Sequence, residues 1–175
     1  MNKKIIFVCL IVLFSLLGFF FLKKEKNPQD FILGTKIKKG TFYIQGDNQV
    51  GVDSKLNLNF VVDTRNQAVN SVGFYLNFDP QKLEITNIDT SKSFCQFYPE
   101  NKFDNQKGTI RISCGTPSPG FTGKNNFAQI TFIAKSLGKT EIKIDPKSMI
   151  LLNNGKGTNI FEAEITYPIL ILNKI

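Results

Sequence analysis

The stretch SVGFYLNFDPQKLEITNID, residues 71 to 89, decides the fold of this chain. Its first half alternates apolar and polar residues, and this period of two places four apolar side chains on one face of a β-strand: Val72, Phe74, Leu76 and Phe78. Proline has no backbone N–H and fixes φ, so Asp79-Pro80 ends this strand and redirects the chain. The apolar pattern then resumes in KLEITNI, so the stretch predicts two β-strands joined at an Asp-Pro corner.

The same period of two continues through most of the chain beyond residue 40. KLNLNFVVD, GTIRISC and AQITFIAK alternate in the same way, and KTEIKI, SMILL and EAEITYPILIL supply three more predicted strands. Turn residues separate these segments roughly every 8 to 15 residues, and no segment between them has a helical pattern. The sequence therefore predicts an all-β sandwich, in which Pro168 marks an edge or a bulge of the last strand.

The amino-terminal segment has a different character. Residues 5 to 22, IIFVCLIVLFSLLGFFFL, carry no charge and would form a single transmembrane helix of roughly 27 Å, close to the thickness of the hydrocarbon core of a bilayer. The following GFFFLKKEKNPQD has no small-x-small cleavage site, so we predict an uncleaved signal anchor over residues 1 to 26 rather than a cleaved signal peptide. We expect residues 27 to 40 to form a short basic stalk and residues 41 to 175 to form the domain.

The length of the domain and its cysteines indicate where it lies. Long domains cross the membrane largely regardless of flanking charge, so we expect a single-pass protein of the cell membrane whose domain lies outside the cytoplasm. Cys95 and Cys114 form an even pair beyond the apolar segment, and we predict that they form a disulfide, as is common in exported domains. Two small buried thiols are the alternative.

The net charge of +8 does not indicate nucleic-acid binding. About half of the excess flanks the apolar segment, where Lys serves as an interfacial anchor, and the rest is spread thinly without basic clusters. We therefore expect no nucleic-acid partner.

The residue types also limit the chemistry that the chain can perform. The sequence has no histidine, which excludes Ser-His, Cys-His and His-metal sites, and its carboxylates mostly lie in turns or at outward strand positions. DNQKGT and DTRNQ are oxygen-rich but lack the acidic spacing of a calcium loop, so we interpret them as polar turns. GTPSPGFTGKNN lacks the ending of a phosphate-binding loop and is interpreted as a loop at the end of the sandwich. We predict neither an enzyme nor a cofactor.

The order of these motifs resembles a cohesin domain, of the cohesin and carbohydrate-binding-module superfamily. The most specific part is the strand pair FYLNFDPQKLEI, and the second is the A-x-I-x-F-x-A-K strand followed by LGKT. The resemblance extends over roughly residues 41 to 172. It implies a jelly-roll β-sandwich of nine strands that acts by binding. One copy on one anchor, and the cysteine pair, depart from the usual family pattern.

The resemblance also implies a binding face. Cohesins hold dockerin modules of polysaccharide-degrading complexes on the outer face of the sheet that contains the third, fifth, sixth and eighth strands. Carried onto this chain, the third strand supplies Tyr75 and Asn77, and the fifth supplies Arg111 and Ser113. The sixth supplies Gln129, Thr131 and Ile133. The alternative is that all seven are ordinary solvent-facing positions and that the GTPSPGFTGKNN loop is the binding surface.

Three functional hypotheses follow. The first is a membrane-anchored module outside the cytoplasm that binds a dockerin-like protein; the second is direct carbohydrate binding, and the third is a structural surface protein. Sugar-binding surfaces usually present a row of planar aromatic rings, whereas this chain has no Trp and four Tyr, of which three fall in predicted strands: Tyr43, Tyr75 and Tyr167. This composition favours the protein partner over a polysaccharide.

Overall fold

The computed structural model describes residues 37–173, which form two packed β-sheets and no helix. Among these residues no helix has the length and apolar character that crossing a bilayer requires. The predicted transmembrane segment, residues 5 to 22, and residues 27 to 36 of the predicted stalk lie outside the described residues. The prediction of an all-β sandwich is confirmed.

The described residues contain eleven strands, and nine of these have five or more residues. Their bounds are β1 Thr41–Gln45, β2 Gln49–Gly51, β3 Lys55–Asp63, β4 Val69–Phe78, β5 Leu83–Asp89, β6 Phe97–Asp104, β7 Thr109–Gly115, β8 Lys124–Ala134, β9 Gly138–Ile144, β10 Met149–Leu152 and β11 Ile165–Leu172.

The strands divide into two sheets of different width. The smaller sheet has four strands in the order β1-β3-β8-β5. The larger sheet has seven, in the order β2-β11-β9-β4-β7-β6, with β10 pairing to β4 beyond the end of β9. All pairs are antiparallel except β11 with β2. The strand pair of residues 71 to 89 therefore connects the two sheets, since β4 lies in the larger sheet and β5 in the smaller one.

The Asp79-Pro80 corner makes this change of sheet. The carbonyl oxygen of Asp79 accepts hydrogen bonds from the N–H groups of Lys82, at 3.1 Å, and Leu83, at 2.9 Å. Its side chain accepts a third from the N–H of Gln81, at 2.8 Å. The corner thus satisfies the backbone donors that leave β4, and it directs Leu83 into the core, where this side chain is fully buried.

The alternating patterns fill the space between the sheets as the sequence predicts. The inward residues of β3, β4, β7 and β8 are at most 6% exposed: Leu56, Leu58, Phe60, Val62, Val72, Phe74, Leu76, Phe78, Ile110, Ile112, Ala128, Ile130, Phe132 and Ala134. The burial of these apolar side chains provides the main favourable contribution to the free energy of folding.

Five phenylalanine rings form the centre of this core. The Phe74 ring lies 5.2 Å from both Phe42 and Phe60 and 5.4 Å from Phe127, measured between centroids. Phe161 packs edge-on against Phe42 at 5.0 Å. All five are at most 1% exposed, and tilted or edge-to-face contacts at these distances are favourable for aromatic pairs.

Strand β6 is the main feature that the sequence did not reveal. Its segment FYPENKFD contains a proline and charges, and it shows no clean alternation. It lies at the edge of the larger sheet and pairs only with β7, so one side of its backbone needs no partner strand. Charged residues and proline are common at such edges because they discourage pairing with other chains.

The predicted disulfide is confirmed, because Cys95 and Cys114 are bonded. It ties the segment before β6 to the end of β7. Next to it, Phe94 stacks on Phe121 from the loop between β7 and β8, with 4.0 Å between the ring centroids.

Two further predictions concern turns. Asp63 accepts a hydrogen bond from the N–H of Arg65, and Asp104 accepts from Gln106 and Lys107, so DTRNQ and DNQKGT are polar turns closed by their first carboxylate.

At Pro168, β11 pairs only with β9, because β2 begins its pairing at Leu170. The proline therefore lies where one side of the strand is an edge, as predicted.

We expect Phe74→Ala to lower the free energy of unfolding by about 3 to 5 kcal/mol, because it removes the ring at the centre of the aromatic cluster and leaves a cavity. Phe103→Ala is the matched control, since that ring is 41% exposed on β6 and should contribute less than about 1 kcal/mol. Urea unfolding of both variants checks the prediction. Similar losses in the two variants would contradict the central role of Phe74.

We also expect reduction of the disulfide to destabilise the domain by roughly 3 kcal/mol, as the chain-entropy model gives for a separation of 19 residues. Thermal unfolding with and without reductant measures this shift. The Cys95→Ala, Cys114→Ala double variant is the control and should show no response to reductant. An equal response in the variant would trace the effect to something other than this bond.

Candidate functional site

The outer surface of β10, β4, β7 and β6, here called the β4–β7 face, carries four of the predicted binding residues. Tyr75 and Arg111 are direct partners in the β4–β7 register, and the guanidinium carbon lies 5.9 Å from the centroid of the tyrosine ring. Asn77 and Ser113 lie on the same two strands at outward positions. These four side chains therefore form one continuous group at the middle of the larger sheet.

The other three predicted residues are on the opposite side of the sandwich. Gln129, Thr131 and Ile133 belong to β8, which lies in the smaller sheet. The expectation that all seven share one face is therefore wrong. Because β6 was not recognised as a strand, the count of strands after it was one too low, and β8 was treated as the sixth strand.

The outer surface of β3 and β8, here called the amide face, is lined by polar side chains that bond to each other. Gln129 donates from Nε2 to Oδ1 of Asn59 at 3.1 Å, and the Thr131 hydroxyl donates to Oδ1 of Asn57 at 2.8 Å. Because these bonds already engage one donor or acceptor of each of the four side chains, a partner on this face would compete with part of the existing network. The β4–β7 face is consequently the better candidate for binding.

Two apolar side chains on the β4–β7 face were not predicted. Phe97 of β6 is 53% exposed, and its ring lies over Gly115, where an added Cβ would come within 2.1 Å of the ring. Met149 of β10 covers Gly73 in the same way, at 3.0 Å. The signal in the sequence was the presence of glycine at outward positions of two strands, because glycine admits a side chain from a neighbouring strand.

Ion pairs border this apolar centre. Lys102 pairs with Glu100 at 2.6 Å on β6, and Lys143 pairs with Glu141 at 2.7 Å on β9. The hydrogen bond and charge of Glu141 raise the pKa of Lys143 above its usual value. Exposed pairs of this kind contribute little to stability, so they are free to rearrange around a partner.

The turn between β6 and β7 places the Asp104 carboxylate near one end of the face. The backbone N–H of Lys107 bonds to the Asp104 carboxylate and lowers the pKa of Asp104 below its usual value. Asp104 and Lys107 also form an ion pair at 3.2 Å. The ionised carboxylate of Asp104 thus holds the turn in the conformation that closes the hairpin.

Buried Ser148 holds Tyr75 in place. Between the end of β9 and the start of β10, the hydroxyl of Ser148 accepts a hydrogen bond from the Tyr75 N–H at 3.0 Å and lies 3.2 Å from the Tyr75 carbonyl oxygen. The N–H of Asp145 also donates to this carbonyl, at 2.9 Å. The backbone that carries Tyr75 is thus fully bonded even where β4 has no neighbouring strand, and its aromatic side chain projects from a rigid support.

A cavity of about 560 Å³ extends the face towards β9 and β11. Its lining comprises Asn77, Phe78, Asp79, Lys139, Thr140, Glu141, Lys143 and Pro168. Asn77 belongs both to this lining and to the group around Tyr75, so the cavity is continuous with the face. A side chain of a partner could enter it while the partner covers Tyr75 and Arg111.

The chemistry of the site is that of recognition. Its centre holds Tyr, Arg, Phe and Met and its border holds charges, which is the composition of the central part and rim of protein–protein interfaces. Within residues 37–173 no group of His, Cys, Asp and Glu side chains has the arrangement of a metal site. All four tyrosines lie in strands, since β6 contains Tyr98, but they do not form a row. Tyr43 lies on β1 of the smaller sheet, Tyr98 packs against the core, and the Tyr167 hydroxyl donates to the carbonyl of Gly46 at 2.7 Å.

Comparison with known proteins identifies the family and the fold. The family model for the cohesin domain matches residues 41–165. Among solved structures, the cohesin module of a family 33 glycoside hydrolase from Clostridium perfringens is similar, with a TM-score of 0.65 and 11% identity. That match covers 78% of this chain and 99% of the other.

Two further structures show the same fold. A non-cellulosomal cohesin from the archaeon Archaeoglobus fulgidus has a TM-score of 0.61 at 16% identity, covering 77% of this chain and 92% of the other. A cohesin from a type I cohesin–dockerin complex of Clostridium thermocellum has a TM-score of 0.63 at 12% identity, and the match covers 77% of this chain and 96% of the other. No curated protein matches the chain significantly.

Proposed function

The chain belongs to the cohesin domain family, and from this premise we propose that it is a binding module that captures a dockerin-bearing protein on its β4–β7 face. Cohesin domains are binding modules without catalytic activity, and the cohesin of the Clostridium thermocellum complex is bound to a dockerin. The proposal assigns the same class of partner to this chain. The partner would contact Tyr75 and Arg111 at the centre of the face and Phe97 towards the edge strand.

The order of the strands carries this proposal. Counting the nine strands of five or more residues, the third, fifth, sixth and eighth are β4, β6, β7 and β9. These four are neighbours in the larger sheet, in the order β9-β4-β7-β6. They are the strands on which cohesins hold dockerins, so the corrected count supports binding on the β4–β7 face together with the outer surface of β9 that borders it.

The composition of the face favours a protein over a polysaccharide. Polysaccharide surfaces require aromatic rings whose flat sides are open along the length of the sugar chain. Of the two tyrosines on these strands, Tyr75 points outward and Tyr98 packs against the core. Arg111, Met149 and Phe97 instead suit a compact interface with buried anchors. Direct carbohydrate binding is therefore the weaker hypothesis.

We further propose that residues 5 to 22 anchor the chain in the cell membrane with the domain outside the cytoplasm. The uncharged length of this segment and the disulfide between Cys95 and Cys114 support that location. A cohesin held at the membrane would retain dockerin-bearing enzymes, such as those that degrade polysaccharides, at the cell surface.

We expect the Tyr75→Ala, Arg111→Ala double variant to lose affinity for a dockerin-bearing protein of the same organism by at least about a hundredfold. An aromatic residue and an arginine at the centre of an interface typically contribute about 2 kcal/mol each. Isothermal titration calorimetry measures the affinity, and thermal unfolding should show a stability within about 1 kcal/mol of the parent.

The Gln129→Ala, Ile133→Ala double variant is the matched control, because both residues are partly exposed at outward positions of β8 on the amide face. Its affinity should equal that of the parent. If the control loses affinity while the Tyr75 and Arg111 variant retains it, the binding surface lies on the amide face. Loss of binding accompanied by unfolding would show that Tyr75 and Arg111 are structural.

For the anchor, we expect the full chain to remain in the membrane fraction after extraction with alkaline carbonate, because an uncharged segment of this length inserts into the bilayer core. Amino-terminal sequencing of the extracted protein should begin at residue 1 or 2. A mature terminus beyond residue 18 would mean that the segment is a cleaved signal peptide.

A further inference from the structure

The chain enters the sandwich at one end, here called the entry end, which consists of residues 37–40, 64–68, 116–123 and 153–158. Hydrogen bonds join these segments to each other: Gln67 bonds through its side chain to the N–H and carbonyl of Lys38, and the N–H of Gly123 donates to the Thr64 hydroxyl at 2.9 Å. The N–H of Asn153 donates to the Ala68 carbonyl at 2.8 Å. The entry end is therefore one bonded surface.

The charge of the entry end differs from that of the opposite end. Five basic side chains lie on it or beside it, all exposed: Lys38, Lys39, Arg65, Lys124 and Lys156. Two acidic side chains accompany them, Asp63 paired with Arg65 and Glu162 paired with Lys39. At the opposite end the loops and adjoining strand ends carry four acidic and five basic side chains, a net charge of +1 against +3 at the entry end: Asp47, Asp53, Asp79, Asp104, Lys55, Lys82, Lys107, Lys135 and Lys139. The excess positive charge is concentrated where the chain enters.

Two of these cations converge on one tyrosine. The Lys124 ammonium lies 4.2 Å from the centroid of the Tyr43 ring, and the Arg65 guanidinium donates to the Tyr43 hydroxyl at 3.1 Å. Asp63 contributes one carboxylate, 3.4 Å from Arg65. The group as a whole is positive and exposed, and the tyrosine ring holds the two cations side by side without neutralising them.

The backbone at Arg65 adopts a left-handed conformation in an exposed turn. Arg65 and Asn66 have φ values of 54° and 61°, in the left-handed region that a residue such as arginine rarely adopts. The turn is held by the Asp63 carboxylate on the Arg65 N–H and by buried Thr64, whose carbonyl accepts from the Gln67 N–H.

We propose that the entry end rests on anionic lipid headgroups and so fixes the orientation of the domain on the membrane. The inference relies on the proposed anchor. Residues 23 to 36 separate the apolar segment from the domain and span at most roughly 48 Å when fully extended. A chain of this length brings the entry end within reach of the bilayer surface, and a leaflet that contains anionic lipid attracts exposed cations that come within about 10 Å of it at moderate salt.

This orientation directs the opposite end of the sandwich away from the membrane. The β4–β7 face runs along the side of the sandwich, and its cavity lies towards the opposite end, next to Asp79. A partner could therefore approach the face from solution while the entry end is held against lipid.

Hydrogen exchange of the full chain in reconstituted bilayers tests this proposal. We expect the amides of residues 64–68 and 120–126 to exchange about tenfold more slowly in an equimolar mixture of phosphatidylglycerol and phosphatidylcholine than in phosphatidylcholine alone. Salt of about 0.5 M should remove most of this protection, because it screens exposed charges. The Arg65→Gln, Lys124→Gln variant should lose the protection, whereas the Lys55→Gln, Lys107→Gln variant, with the same change in net charge at the opposite end, should keep it.

The following outcomes would overturn the proposal. Equal exchange in the two bilayers, or equal loss of protection in both variants, means that the entry end does not contact lipid specifically. Protection by inorganic phosphate in pure phosphatidylcholine would indicate a site for a small anion instead. A chain that does not remain in the bilayer would refute the anchor and this inference together, while dockerin affinity, measured separately in calorimetry, would be unaffected by either failure.

Discussion

The packing of five phenylalanine rings between the sheets is the interaction on which the rest of the structure depends. Phe74 comes from β4 of the larger sheet, and it inserts among Phe42, Phe60 and Phe127 of the smaller sheet, while Phe161 closes the cluster from the segment before β11. Closely packed protein interiors resist the displacement of any one side chain. Because strand residues alternate between faces, fixing Phe74 inward also fixes its neighbour Tyr75 outward. The position of the candidate binding site is thus a consequence of the core.

The two outer surfaces of the sandwich use similar backbone geometry for different chemistry. On the amide face, Asn, Gln and Thr side chains pair across β3 and β8. On the β4–β7 face, glycine at two outward positions lets Phe97 and Met149 lie over the sheet. The first surface bonds partly to itself. The second exposes an aromatic ring, whose burial against another protein would release apolar area from water.

Exposure of an aromatic ring on an edge strand carries a risk of aggregation, and the sequence of β6 reduces it. Pro99 cannot donate a hydrogen bond to an incoming strand, and Lys102 and Glu100 place charges beside the exposed ring of Phe97. The disulfide from Cys95 to Cys114 further restricts the start of the strand. These features allow β6 to present Phe97 to a specific partner while they disfavour pairing with another copy of the chain.

The sequence alone determined the fold class, the inward residues of the main strands and the Asp-Pro corner, because alternation with a period of two is a local property that burial on one side imposes. It also indicated that Cys95 and Cys114 form a disulfide. The sheet to which each strand belongs was decided only in the tertiary structure: β6 lacks alternation, since an edge strand is partly exposed on both faces, and its omission placed Gln129, Thr131 and Ile133 beside Tyr75 and Arg111. The contributions of Phe97 and Met149 also emerged only there, because Phe97 lies on the unrecognised strand β6 and Met149 covers a glycine on β4, which is distant in sequence. Local patterns record which side of a strand is buried, whereas the composition of a face depends on which strands become neighbours.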